Sequence, residues 1–427
     1  MDAIWIEGNR TLSGEVTVQG SKNAALPVLA ATLLVPGVTR LLNCPEISDV
    51  SCMCEILRHM GARVERRGKE VTVDASELTG CRILPEHAVR MRSSVILAGA
   101  LLGRCREAFF FQPGGCVIGD RPIDMHLWAL GRLGVFFSGR EGEIRAQALR
   151  LRGAFVRLPF PSVGVTQNAV LAAVGAEGTT RLTNCAREPE IGALCRFLRG
   201  AGADVREEGG GEIRVEGGRP LHASTFWIDA DRIVAGTYLA GVLAAGGKAF
   251  LRQAPWYELK AALKAARRMG AVVRTESHGL YVERTGRLLS PGELVTGVYP
   301  AFPTDLQSPF LAAMCLAEGK SSIRERIFNG RFGVAGQLNR MGADIRIGGD
   351  RAFVPGGRRL SGCRVAAGEL RGGAALTVAG LCAQGRTVVE NCHFIRRGYE
   401  DIVRDLKELG ADIGNETEVP PDEGRQV

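Results

Sequence analysis

Met60–Gly61–Ala62–Arg63–Val64 (MGARV) is a short phrase that returns five times, as Leu133–Phe137 (LGVFF), Ala201–Val205 (AGADV), Met269–Val273 (MGAVV), Met341–Ile345 (MGADI) and Leu409–Ile413 (LGADI). Its glycines stand at 61, 134, 202, 270, 342 and 410, at intervals of 73, 68, 68, 72 and 68 residues. A period this regular marks repeated supersecondary units. A second phrase keeps step with the first, a glycine turn opening a β-rich segment: Gly37 before Val38–Leu42, Gly178 before Thr179–Thr183, Gly247 before Lys248–Arg252, Gly319 before Lys320–Arg324 and Gly385 before Arg386–Glu390. The copy near Gly103 is weaker.

Around these phrases each unit reads helix, glycine turn, strand, polar loop, helix, glycine stop, strand. Lys22–Leu34 is Ala/Leu-rich and helical, Val38–Leu42 is strand-like, Asp49–Met60 is an amphipathic helix, and extended structure resumes at Ala62–Arg66. Gly61 falls where a helix C-terminus takes a left-handed residue. Glu70–Val73 and Glu212–Val215 alternate as half-buried strands do. One helix per unit is apolar nearly all round, as a helix packed inside its siblings is. Six units imply two α/β domains of three. Residues 21–230 form the first, with 1–20 and 231–427 forming the second. The strands at Trp5–Glu7 and Gly14–Val18 then complete the sixth unit and set the two crossings side by side as a hinge, while the polar tail 415–427 frays.

Composition narrows the class. The chain has 427 residues, 54 Lys+Arg against 46 Asp+Glu, a net charge of +8 and 45% hydrophobic residues, ordinary globular values with ample core for two domains. Ala24–Val35 and Leu239–Ala245 are too short to cross a bilayer, and the acid-containing start is no export leader, so the expectation is a cytoplasmic protein without a membrane partner. Twelve cysteines are scattered without a CxxC spacing, which points to reduced, mostly buried thiols. No cysteine or histidine has metal-ligand spacing, so neither metal nor cofactor is expected. The basic residues are 47 Arg and 7 Lys interspersed with acids. With no aromatic-basic patch, nucleic acid is not an expected partner. Two self-contained domains suit a monomer.

Chemistry-bearing residues gather in a few loops. Gln112–Asp124 (QPGGCVIGDRPID) sets Cys116 beside Gly114 and Gly115, with Arg121 near enough to favour a thiolate or bind an anion. A surface loop with an incidental thiol is the plain alternative. Lys22, in Gly20–Ser21–Lys22–Asn23 before an apolar helix, makes an anion cradle or a solvated neighbour of an N-cap. Tyr299–Gln307 (YPAFPTDLQ) is a two-proline loop that fixes Asp305, or a plain turn. Arg92, Arg331, Arg371 and Arg397 are forked donors suited to phosphate or carboxylate.

Taken with Pro113–Cys116, Ile118–Gly119, Arg121–Asp124, Pro161–Gly164, Arg187–Ile191, Asp231–Ile233, Phe302–Gln307 and Arg397–Glu400, the Gly20–Pro27 motif resembles that of the enolpyruvyl transferases, specifically the UDP-N-acetylglucosamine 1-carboxyvinyltransferase branch. The match spans the chain. It implies two inside-out α/β domains, each of three βαβαββ units, and transfer of enolpyruvyl from phosphoenolpyruvate to the 3′-hydroxyl of UDP-N-acetylglucosamine. By resemblance Cys116, on the lid Gln112–Arg121, protonates the enol methylene and accepts fosfomycin, and Asp305 takes the hydroxyl proton. Lys22, Arg121, Arg371 and Arg397 hold phosphate and carboxylate. Asn23, Arg92, Arg121, Pro122, Ile123, Asp124, Met125, Pro161, Ser162, Val163, Gly164, Asp305 and Ile327 contact the nucleotide sugar.

Some positions depart from the family pattern. Glu369 replaces an aspartate, and its extra methylene is expected to shift a carboxylate near the reacting groups. Val234 stands where an acid is usual, Phe394 and Arg396 replace His and Asp, and Asn329–Val334 lacks an acid and a histidine around Arg331. These departures motivate a second reading, a weakly catalytic regulatory protein that binds the nucleotide sugar.

Overall fold

The computed structural model describes residues 2–112, 114, 119, 122–140 and 142–416. Cys116, Arg121 and the tail beyond 416 lie outside them.

Among the described residues the repeat is expressed as six sheets, five of four strands and one of three. In the first, Ser224–Trp227 runs parallel to Val38–Leu42, which pairs antiparallel with Glu70–Asp74, itself antiparallel to Arg63–Arg67. The same parallel, antiparallel, antiparallel order recurs across Phe155–Arg157, Thr179–Thr183, Glu212–Glu216 and Asp204–Gly209. It appears again from Glu293–Val295 through Ser321–Arg324 and Arg351–Val354 to Arg346–Gly348. The second unit is the three-stranded one, its parallel neighbour reduced to a bridge between Arg82 and Phe109.

The weak second copy has a local cause. Gly37, Gly178, Gly247, Gly319 and Gly385 all have positive φ, whereas in the second unit the left-handed position after helix Leu97–Cys105 is Arg106, at φ 64°. A phrase defined by glycine misses it. The stop glycines at 61, 134, 202, 270, 342 and 410 lie between 84° and 101°, the conformation that glycine adopts without steric cost.

The N-terminal strands divide between two units instead of completing one. Ala3–Glu7 inserts between Arg386–Glu390 and Asp412–Glu416 in the sixth sheet, while Leu12–Thr17 adds a parallel edge to Gly247–Arg252 in the fourth. Asn415 and Glu416 are therefore strand residues rather than frayed tail.

Two hydrophobic cores result. One gathers buried residues between Ala24 and Ile228, the other residues from Ile4 to Val18 and from Ile233 to Ile413. Each surrounds three apolar helices: Lys22–Ala31, Leu97–Cys105 and Val163–Val174 in the first, and Arg232–Ala245, Gln307–Met314 and Leu370–Cys382 in the second. Amphipathic helices such as Ser48–His59, Pro189–Gly200 and Ile402–Glu408 cover the outside. No helix among the described residues is long and apolar enough to cross a membrane. The chain passes between cores at two adjacent points joined by Ser21 N–H to Asp229 O (2.7 Å) and Asp231 N–H to Gln19 O (2.8 Å).

Candidate active site

Burying six helices end-on has a consequence at their N-termini. Lys22, Arg92, Ser162–Gly164, Arg232, Asp305 and Leu370–Arg371, which begin or immediately precede the six inner helices, all line one cleft of about 540 Å³ between the cores. Helix N-termini carry unsatisfied N–H groups and the positive end of the macrodipole, so their convergence attracts anions.

Asp305 occupies the centre. The short 3-10 turn Thr304–Leu306 presents it after Pro303, and its two oxygens accept from Arg331 Nη2 at 2.8 Å and Arg371 Nη2 at 3.0 Å. Both guanidinium groups are buried, at 3% exposure. Burial alone pushes this carboxyl upward, but Arg371 and Arg331 outweigh it and hold Asp305 well below the ordinary carboxylate range. Arg331 Nε and Arg371 Nη1 are buried without an acceptor among the described residues, which leaves them suited to a further carboxylate or phosphate.

Lys22 starts its helix with Ser21 as N-cap, the Oγ accepting from Ala24 N–H at 3.3 Å. Its ammonium turns inward to Asp49 (2.7 Å), and Arg397 reaches the same carboxylate from the second core, Nε to Oδ1 at 2.9 Å. Asn23, Pro122, Met125, Pro161, Val163 and Ile327 also line the cleft. Ile123 does not; it is a core residue at 6% exposure, and Asp124 is exposed in the first turn of helix Asp124–Arg132. Beside Met125, His126 is pressed against Asn168, whose Nδ2 lies 2.9 Å from His126 Nδ1. Burial lowers the imidazole to about 4, so it is neutral, and with Nδ1 accepting it carries its proton on Nε2.

The departures have local explanations. Glu369 folds back as the N-cap of helix Leu370–Cys382, one oxygen accepting from Arg371 N–H at 2.7 Å and the other from Gly372 N–H. The expectation that the extra methylene displaces a reacting carboxylate is corrected: the carboxylate is held on backbone. Val234 is fully buried in the second core, where an ionised acid needs a partner and an apolar side chain needs none. Arg396 points outward to Asp2 at 2.7 Å. Nothing in the structure explains Phe394.

A second ionic group closes the hinge side. Arg232, at 8% exposure, is held by Glu190 at 3.2 Å, and Glu190 also faces Asn23 Nδ2 at 3.5 Å. Glu188 accepts from Tyr299 N–H at 3.3 Å, and burial raises its carboxyl. Burial likewise pushes Glu258 to about 8 despite the opposing charge of Arg232. With an unfolded value near ~4.3, the folded protein holds the extra proton between about pH 4.5 and 8, so Glu258 costs stability as pH rises through that window. Glu258→Gln is expected to flatten the stability profile there and to melt about 2–4 °C higher at pH 9, as ~1 kcal/mol gives in domains of this size. A lower melting temperature at pH 9 would show that the Arg232 contact dominates.

Asp49 and Glu190 were not singled out from sequence, and Arg331 only as a candidate anion donor, yet the repeat contains a signal for all three. Twelve positions after Gly37, Gly178, Gly319 and Gly385 stand Asp49, Glu190, Arg331 and Arg397. The fourth unit has Leu259 there. One structural position, repeated, supplies four of the charges that line the cleft, beside those at the inner-helix N-termini.

Comparison with known proteins gives the family. The family model described as EPSP synthase (3-phosphoshikimate 1-carboxyvinyltransferase) matches residues 6–406. The chain belongs to the EPSP synthase family. Within the family it is 43% identical over 414 residues to UDP-N-acetylglucosamine 1-carboxyvinyltransferase 2 of Caldanaerobacter subterraneus subsp. tengcongensis, covering 97% of this chain and 99% of that one. It is likewise 43% identical to UDP-N-acetylglucosamine 1-carboxyvinyltransferase of Sorangium cellulosum, over 96% of this chain and 98% of the relative. Among solved members, the enolpyruvyl transferase NikO from Streptomyces tendae superposes with a TM-score of 0.87 at 27% identity, over 97% of this chain and 99% of the other. EPSP synthase from Acinetobacter baumannii shares the fold at a TM-score of 0.75 and 20% identity, over 98% and 100% of the two chains.

Proposed function

We propose that this chain transfers the enolpyruvyl group of phosphoenolpyruvate to the 3′-hydroxyl of UDP-N-acetylglucosamine and releases phosphate, the first committed step of peptidoglycan precursor synthesis. The observation that carries the reading is Asp305 gripped by Arg331 and Arg371 where six inner-helix N-termini meet, in a chain 43% identical to transferases of that name.

Asp305 is the base. Clamped by two guanidinium groups it is a weak one, but a bound trianion shares their charge, and Asp305 regains basicity only with substrate present. The hydroxyl proton passes to Asp305 as the oxygen bonds to C2 of phosphoenolpyruvate, and Cys116 delivers a proton to C3. Return of a C3 proton to the Cys116 thiolate, with cleavage of the bond from C2 to the phosphate oxygen, then expels phosphate, which takes up the proton held by Asp305. Lys22, Arg121 and Arg397 hold the phosphate, and Arg371 with Arg331 holds the carboxylate. Asn23, Arg92, Pro122, Met125, Ser162, Gly164 and Ile327 receive the nucleotide sugar. The roles of Cys116 and Arg121 rest on motif resemblance. Two self-contained cores suit a monomer.

Phosphate release is expected only when both substrates are supplied. Exposure to fosfomycin is expected to add one equivalent to Cys116 by mass spectrometry. Release with phosphoenolpyruvate alone, or no turnover with both, would discard the assignment.

A further inference from the structure

Lys22 and Arg397 are the two described cations given to the substrate phosphate above, and both are already engaged with Asp49, from opposite cores. Asp49 is 4% exposed and Lys22 is 9% exposed. Lys22 held this deeply, with the half-buried Arg397 beside it, needs an anion, because an uncompensated buried charge costs several kcal/mol. Burial opposes ionisation of Asp49, yet Lys22 and Arg397 keep its carboxyl below the usual range, so at neutral pH it is that anion.

An incoming phosphate ester competes with this carboxylate for the same N–H groups. Space for the exchange lies beside the pair. Asp49, Arg397 and Glu369 line both the catalytic cleft and a second cavity of about 660 Å³, lined also by Ser48, Cys52, Phe394 and Arg396. That cavity is open space beside the carboxylate, into which the displaced side chain can turn.

We propose that Asp49 is a place-holder anion of the phosphate subsite, neutralising Lys22 and Arg397 between turnovers, yielding them to the phosphate ester and reclaiming them as inorganic phosphate departs. This rests on the assignment of Lys22 and Arg397 to phosphate. Asp49 is thus a positioning residue whose charge tunes anion exchange: it weakens phosphate binding and speeds phosphate loss. A mere tie between the cores does neither.

The test is calorimetric titration of inorganic phosphate into the full chain at fixed ionic strength, with product-inhibition kinetics alongside. Asp49→Asn is expected to bind phosphate about tenfold more tightly, the low end of what removing one like charge at hydrogen-bond distance gives. Its KM for phosphoenolpyruvate and its kcat are both expected to fall, with stronger inhibition by phosphate. Asp49→Ser supplies a second uncharged side chain should the first variant not fold, and Asp49→Glu is expected to stay within about threefold of the parent. Unchanged or weaker phosphate binding in the neutral variants, with binding abolished by Lys22→Ala, overturns the place-holder role and leaves Asp49 a structural tie. Phosphate binding that survives Lys22→Ala overturns the phosphate assignment itself, and this inference with it.

Discussion

Asp305→Asn is expected to lower turnover by roughly 10²–10⁴-fold, the range of a lost general base, and to destabilise the ligand-free protein by about 3 kcal/mol. Both effects come from one geometry. Asp305 is the carboxylate between Arg331 and Arg371, whose guanidinium groups are buried at 3% exposure, and an amide leaves both without the anion that compensates them. The sign with pH follows. Because the folded carboxyl lies below its unfolded value of about 3.9, its stabilisation is complete above that value and is lost as pH falls through and below it. Parent and variant should therefore differ most in melting temperature above about pH 5 and converge in acid. Phosphoenolpyruvate supplies negative charge to the same arginines, so it should raise the variant's melting temperature by more than the parent's. Activity within threefold of the parent would remove Asp305 from the chemistry; equal melting temperatures at pH 7 would remove it from the ion network.

The architecture was legible because it is written six times. The stop glycines recur since a helix followed at once by a strand needs a left-handed residue, and that demand is local. What was not legible is non-local. Arg106 does the work of a glycine in the second unit, and Leu12–Thr17 leaves its neighbour Ala3–Glu7 to pair in another sheet, a choice set by which edge is open. In the site, Lys22, Asp305, Arg371 and Arg397 stood out as charges in unusual loops. Asp49 and Glu190 did not, because an acid in the first turn of an amphipathic helix reads as a favourable dipole contact on the surface. Only the alignment of one unit on another shows that this turn faces the cleft, where acids from the first and third units meet cations from the sixth and fourth. Glu369 misled in the opposite direction, since a longer acid can reach the backbone of its own helix.

Gly119→Val is expected to reduce kcat by about 100-fold while leaving the melting temperature nearly unchanged. Gly119 has φ +116°, a conformation a β-branched residue adopts only under strain, and a Cβ there would run into the side chain of Asn329 and come within 3.1 Å of Gly330 N. The position matters at both ends of this contact. Gly119 lies three residues after Cys116 in the chain, and Asn329–Gly330 lead directly into Arg331, which grips Asp305. Forcing the two segments apart by about 1 Å misplaces either the thiol proposed as proton donor or the arginine that grips the proposed base, and a displacement of that size costs on the order of 100-fold in rate. Few core atoms are involved, so folding is spared. Backbone strain and collision can be separated: Gly119→Ala should lose about tenfold, and adding Asn329→Gly should recover the part due to the side chain but not the part due to φ, which at ~1–2 kcal/mol persists in any L-residue. A Gly119→Val protein that turns over at the parent rate would show that the approach of Gly119 to Asn329 is no part of the working conformation.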